Sequence, residues 1–185
     1  MPFYPSFLRR SSVARTRERR MGFISGLVNV VVVLFSGVVA VAVPLIDAQI
    51  CLPGWLYPAP LVELKRWYGE VFGDYLVTEK PHFFTGLVWV EIAFLWPLSV
   101  ANVYGILARR PWASTTSLMA GVSTATSMAA IMAELLGSGK ASEQLLQIYF
   151  PFGVFALAAI LRGLFCRPRR ATSTSHASSS RKKRA

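Results

Sequence analysis

A chain of 185 residues that is 54% apolar and still carries a formal net charge of +11 does not read as a soluble domain once the charge is located. Arginine and lysine crowd the first twenty residues (Arg9, Arg10, Arg15, Arg17, Arg19, Arg20) and the last twenty (Arg167, Arg169, Arg170, Arg181, Lys182, Lys183, Arg184), leaving a middle poor in charge. Basic excess of this size serves nucleic acid where a phosphate- or base-reading motif accompanies it. None does here, so the partner expected of the basic flanks is the lipid bilayer and no nucleic acid.

In chain order, residues 1–21 form a basic extension, rich in Arg and Ser, with the single acid Glu18. That composition suits a cytosolic extension and also an organellar transit peptide, and Met21 offers a second start. Four stretches, 22–46, 83–107, 113–136 and 145–166, each supply the roughly 20 predominantly apolar residues that a helical span requires. The expected fold is therefore all-α: a polytopic membrane protein with a four-helix bundle over 22–166 and a disordered basic tail over 167–185. The N-terminus, the second loop with Arg109 and Arg110, and the C-terminal tail carry the positive charge, which places all three on the cytosolic side. An even number of spans meets that condition.

The first loop, 47–82, carries Trp55, Tyr57, Trp67, Tyr68, Phe72 and Tyr75. Within it, 60–72 places Leu61, Leu64, Trp67, Tyr68 and Phe72 at helical spacing, with Glu63, Lys65, Arg66 and Glu70 elsewhere on the wheel. This predicts a short amphipathic helix lying over the bundle or in the headgroup layer of the non-cytosolic face. Cys51 follows the first span and Cys166 ends the fourth, so the two lie at opposite faces and an internal disulfide is not expected.

Glu91 is the outstanding polar residue, because about two turns into the second span an ionised carboxylate costs several kcal/mol unless paired or hydrated. Asp47, closing the first span, is its nearest candidate partner. Two carboxyls brought together at low dielectric should share a proton, and they favour a cationic amine or a hydroxyl donor. Pro97 and Pro151 kink the second and fourth spans and open space in a bundle. Ser123, Thr124, Thr126 and Ser127 read as packing glue in the third span, with Ser127 also able to face a pocket. The 137–140 stretch Gly-Ser-Gly-Lys lacks both the spacing and the hydroxyl of a phosphate loop. No residue set calls for a metal or another cofactor. At the end of the chain, Lys182 and Lys183 fit a dilysine retention signal of endoplasmic reticulum proteins, and fit equally a short polybasic end touching lipid.

The residues Asp47-Ala-Gln49, Leu52-Pro53, Leu56-Tyr57-Pro58, Trp67-Tyr68, Phe72-Gly-Asp74, Pro81, Phe84, Glu91 and Pro97 resemble the EXPERA family, and within it the sigma-2 receptor branch more than the emopamil-binding isomerase branch. The likeness covers 22–166 and runs without gaps from 47 to 104. It implies a four-helix protein of the endoplasmic reticulum whose pocket opens sideways to lipid and takes sterols, oxysterols or hydrophobic amines. It further implies that Asp47 pairs with a ligand amine, that Glu91 hydrogen-bonds to Asp47, that Asp74 supports the first loop, and that Ile46, Tyr68, Phe72, Leu87, Ser127 and Phe152 line the pocket. The 149–152 stretch Tyr-Phe-Pro-Phe resembles the family's fourth-helix element. Three positions depart from the sigma-2 pattern: Val39, Leu95 and Ala120 stand where a histidine, a glutamine and a tyrosine are expected.

The function implied is a non-catalytic sterol-binding regulator of cholesterol homeostasis or trafficking. Its expected partners are sterol transport proteins and a second copy in a homodimer. The alternative is a sterol double-bond isomerase, which adds one proton and removes another through a carbocation that the same carboxylates would stabilise. No histidine lies within a span, and His82 at the mouth of the second helix is the one candidate that could reach inward.

Overall fold

The computed structural model describes residues 7–165, with side chains from Ser25 to Phe165. Residues 1–6, Cys166, the basic tail and the Lys182–Lys183 pair lie outside the described residues. The described chain runs as α1 (Phe7–Leu45), two 3-10 turns (Asp47–Ile50 and Gly54–Leu56), α2 (Ala59–Phe72), α3 (Tyr75–Glu79), α4 (His82–Val90), a π-turn (Glu91–Leu95), α5 (Trp96–Leu107), α6 (Ala113–Ser138) and α7 (Glu143–Phe165). It contains no strand among the described residues.

Among the described residues, four segments are long and apolar enough to cross a membrane: Ser25–Ile50, His82–Leu107, Ala113–Ser138 and Glu143–Phe165. The first three are 26 residues and the last is 23. At about 1.5 Å per residue each outreaches a hydrocarbon core of about 30 Å. α1 continues back to Phe7 as helix, ahead of the first of these segments.

The long helices turn large apolar side chains outward, as a bilayer solvent permits. Leu34, Val38 and Val41 on α1 are more than half exposed, and so are Phe150 and Leu157 on α7. The inward face of α1 is the row Val32, Ser36, Val39 and Val43, all buried. α6 and α7 pack most closely. A Cβ on Gly121 would lie 2.8 Å from the Ile160 amide nitrogen, and one on Gly163 would lie 2.5 Å from Leu118 Cβ. Small residues let the two backbones approach in the manner of membrane helix pairs.

A buried polar layer joins the four spans near the start of the first one. Arg162, 7% exposed on α7, donates through Nε to Asn29 Oδ1 at 2.8 Å and through Nη1 to the Ala113 carbonyl at 2.6 Å and Ser117 Oγ at 3.0 Å. Ser117 and Thr116 in turn donate to Asn102 Oδ1 at 3.0 and 2.8 Å. These bonds put the start of the first span, the start of α6 and the end of α7 on one side of the bundle, with the Arg109–Arg110 loop.

α2 and α3 cover the opposite side. Gly73, at φ 63, ends α2 in the left-handed region that glycine adopts without cost. Asp74 then caps α3 by accepting from the Leu76 amide at 3.1 Å. The apolar residues of α2 divide into two sets. Leu61, Tyr68, Gly69 and Phe72 turn toward the bundle, whereas Leu64, Trp67 and Val71 are exposed, as is Trp55 at 81%.

Candidate functional site

Two prolines shape the residues that meet at the centre of the bundle. Pro44 has no N–H for the Ala40 carbonyl, and α1 gives way after Leu45 to the 3-10 turn that Asp47 begins. The freed Ala40 oxygen accepts instead from Trp96 Nε1 at 3.0 Å, which ties α1 to α5. Pro97 likewise has no N–H for Ala93, and the helix ahead of it widens into a π-turn in which the Trp96 amide donates to the Glu91 carbonyl. Single π-turns inside a helix recur at functional sites. Asp47 and Glu91 thus each open an irregular turn.

Both carboxyls line one cavity of about 280 Å³, close to the lower end of small-molecule sites, roughly 300–1,000 Å³. α1, α4, the π-turn, α6 and α7 form its walls, and α2 with α3 closes the end where α1 stops. The two carboxyls are close enough to interact electrostatically. Among the described residues, neither receives a hydrogen bond or an ion pair from the protein. Both are part-exposed in a cavity whose lining is otherwise mostly apolar.

Of the residues expected at the site, Ile46, Asp47, Tyr68, Leu87, Glu91, Ser127 and Phe152 all line this cavity. Phe72 does not; its ring lies against Tyr68 at 5.1 Å and stands edge-on to Trp67 at 6.1 Å. Asp74 is fully buried yet also lines the cavity, and there Tyr149 donates to its Oδ2 at 3.0 Å and Tyr68 donates at 3.3 Å. Burial pushes the Asp74 carboxyl above the ordinary carboxylate range, and the bond from Tyr149 with those from Val77, Leu76 and Tyr68 offsets part of that rise. Tyr68 is pushed well up by burial and then by the Asp74 charge, which keeps its proton available for that bond. Pro97 lies beyond the π-turn, outside the cavity, and His82 is exposed at the start of α4, also outside it.

Val39, Leu95 and Ala120, the three departures from the sigma-2 pattern, sit in one buried cluster with Val43. Val39 and Leu95 also line the cavity, so polar groups expected along this wall are replaced together by an apolar surface. Of Ser123, Thr124 and Ser127, which all line the cavity, Thr124 is committed to the Ala120 carbonyl at 2.9 Å.

Sequence reasoning missed three features. Lys65, placed on the polar side of α2, lines the cavity instead and donates to the Gln49 carbonyl at 2.9 Å. Its register with Leu61 and Tyr68 was the available signal, since a lysine stem packs on apolar surface while its head finds an acceptor. Phe35 also lines the cavity, edge-on to Phe152 at 5.0 Å, but sits in a run of apolar residues with no visible period. The third is the Arg162 layer, foreshadowed by an arginine and two asparagines inside spans.

A family model described as EBP: EXPERA (EXPanded EBP superfamily) matches residues 60–163. The chain is 31% identical over 91 residues to Sigma intracellular receptor 2 of Macaca fascicularis and to that of Homo sapiens, each match covering 49% of this chain and 52% of the relative. It is 29% identical over 93 residues to the protein of the same name from Xenopus tropicalis, covering 50% of this chain and 54% of that one. The chain thus spans about half the length of the curated relatives it matches. With the family model matching over more than half of its residues and four apolar helices long enough to span a bilayer, this chain belongs to the EXPERA family of multi-pass membrane proteins.

Proposed function

We propose that this protein is a sterol-binding regulator of the endoplasmic reticulum membrane, taking sterols, oxysterols or hydrophobic amines in the Asp47–Glu91 cavity. One observation carries the reading: two carboxyls with no protein donor among the described residues face a cavity of mostly apolar lining inside a helix bundle. Carboxyls in such a place favour a ligand that brings its own donor on an apolar body, which describes a sterol hydroxyl or a hydrophobic ammonium. The relatives named Sigma intracellular receptor 2 support it. Pairing of the ligand amine with Asp47, contact of Glu91 with Asp47, and an apolar cradle from Ile46, Leu87 and Phe152 follow as the binding mode.

The proposed orientation puts both termini and the Arg109–Arg110 loop in the cytosol and α2 on the lumenal face. α2 then lies in the headgroup layer, with Trp55 and Trp67 at interface depth. Regulation of sterol homeostasis through sterol transport proteins and a homodimer completes the reading. Isomerase chemistry would want a positioned acid and base, and the histidine considered for it, His82, lies outside the cavity.

A photoreactive, alkyne-bearing sterol applied to membranes containing the full chain tests the site. The expected adducts fall on peptides carrying Ile46, Leu87 or Phe152, and free sterol competes them away; labelling confined to lipid-facing residues such as Leu34 would contradict it. Growth with a normal sterol profile in an isomerase-deficient yeast strain would establish the catalytic reading in its place.

A further inference from the structure

We propose that Lys65 makes the α2 end of this cavity a subsite for an oxyanion, so that the site accepts an anionic amphiphile: a sulfate, carboxylate or phosphate on a sterol-sized apolar body. The inference rests on the reading that the cavity is a ligand site, and it names a class of ligand the acidic pair alone would not select.

The placement of Lys65 is the first argument. It lines the same cavity as Asp47 and Glu91. Yet among the described residues it forms no ion pair with either; the ion pairs there are Arg66–Glu70 and Lys140–Glu79. The one acceptor it has among the described residues is a neutral carbonyl, that of Gln49 at 2.9 Å. An ammonium carries three donors. Two remain for a ligand.

The second argument is rigidity. Gln49 is 3% exposed and donates through Nε2 to the Leu45 carbonyl at 2.7 Å and the Leu61 carbonyl at 3.2 Å. Leu61 and Lys65 lie four residues apart on the same face of α2. The bond from Gln49 to Leu61 and the bond from Lys65 to Gln49 therefore clamp one turn of α2 onto the turn that begins with Asp47. The cation is held by the fold rather than carried on a free arm, which lowers the cost of ordering it around a ligand.

The third argument is charge. Lys80 lies close enough to add to the positive potential at Lys65, and together with burial it pushes the Lys65 ammonium below its ordinary range, burial being the larger cause. An anion at this position relieves both effects. An ammonium there meets repulsion. The cavity thus carries donor-seeking carboxyls at Asp47 and Glu91 and an acceptor-seeking ammonium at Lys65, and a head group bound at Lys65 lies at the end of the bundle that α2 closes.

The test uses the full-length protein in nanodiscs of neutral phosphatidylcholine. Displacement of radiolabelled cholesterol is measured with cholesterol sulfate, with a hydrophobic tertiary amine and with oleoyl lysophosphatidic acid, on wild type, Lys65→Met and Lys65→Arg. Loss of one charge-assisted contact predicts that Lys65→Met weakens cholesterol sulfate by about tenfold or more relative to cholesterol, while the ratio of amine to cholesterol affinity does not fall. Lys65→Arg should retain sulfate binding. Displacement by lysophosphatidic acid that Lys65→Met abolishes extends the subsite to acyl-chain lipids; its absence restricts the body to sterols, and both outcomes support the proposal if the sulfate arm responds. An unchanged sulfate-to-cholesterol affinity ratio in Lys65→Met overturns it. Cholesterol binding serves as the folding control. If the wild type binds none of the probes, the sterol reading itself falls; if it binds cholesterol while Lys65→Met leaves the ratio unaltered, only the subsite does.

Discussion

Trp96 donates its indole N–H to the carbonyl oxygen of Ala40 at 3.0 Å, and Ala40 is the residue left without a helical donor by Pro44. A tryptophan in one span thereby completes the backbone of another, beside the two irregular turns that carry Asp47 and Glu91. Trp96→Phe keeps the ring and removes the bond, with an expected cost of about 1 kcal/mol in thermal or denaturant unfolding. In a Pro44→Ala background, where Ala40 regains its own donor, the same change should cost measurably less. Equal costs in the two backgrounds would show that the indole bond does not substitute for the missing amide.

Asp74 joins the cap of α3 to Tyr68 and Tyr149. Asp74→Ala removes the cap and strands the buried Tyr149 hydroxyl and the part-buried Tyr68 hydroxyl, so a loss of at least about 2 kcal/mol is expected; Tyr149→Phe should lose about 1 kcal/mol. The carboxyl also gives a pH signature. Because burial raises it in the folded state, the native protein holds this proton more tightly than the unfolded chain does. Its stabilising contribution is complete below the ordinary aspartate value of about 3.9 and is lost as pH rises through the raised folded value. The melting temperature of wild type relative to Asp74→Asn should therefore fall across that window. A difference independent of pH would contradict the assignment.

Gly121 and Gly163 set the spacing of α6 and α7. Either glycine replaced by alanine forces the helices apart or bends the contact, with an expected loss of about 1–3 kcal/mol. Gly153 on α7, where a Cβ meets nothing within 4 Å, is the control position for the same substitution. Comparable losses at all three sites would mean that glycine matters for its backbone freedom rather than for the close approach.

The parts of this protein that were legible in sequence are those that a bilayer writes into hydropathy. Four spans, a charge-poor middle and Arg109–Arg110 between the second and third spans sufficed for the bundle, and the carboxyl of Glu91 stood out because its environment was already known to be apolar. The inward faces were not legible. Valine and leucine fill α1 between Leu27 and Val43 on both its lipid side and its core side, so Val32 and Val39 look no different from Val38 and Val41 until the fold is seen. Lys65 is hidden for the opposite reason: charge usually marks a solvated face, whereas here the stem packs inward and the head meets the Gln49 carbonyl. The π-turn at Glu91 had a sequence cue in Pro97, but a proline signals a kink without saying how the helix absorbs it.

Arg162 is held by oxygen atoms from α1 and α6, including those of Asn29, Ala113 and Ser117. Arg162→Met should destabilise the bundle by about 1–3 kcal/mol, and Arg162→Lys should recover part of that, because an ammonium can reach some of the same acceptors without the planar fork. Ligand affinity of the residual folded protein should be unaltered, since Arg162 lies at the end of the bundle opposite the cavity. Lost affinity at full stability would tie the polar layer to the site.

Equilibrium binding of a radiolabelled hydrophobic amine to wild type, Asp47→Asn and Glu91→Gln in nanodiscs, with unfolding midpoints measured on the same samples, tests the central claim most directly. Loss of the carboxylate facing the ligand amine predicts a drop of about tenfold or more in affinity for Asp47→Asn and a smaller drop for Glu91→Gln, at unfolding midpoints no lower than wild type. Wild-type affinity in both variants would contradict the assignment of the Asp47–Glu91 cavity as the ligand site.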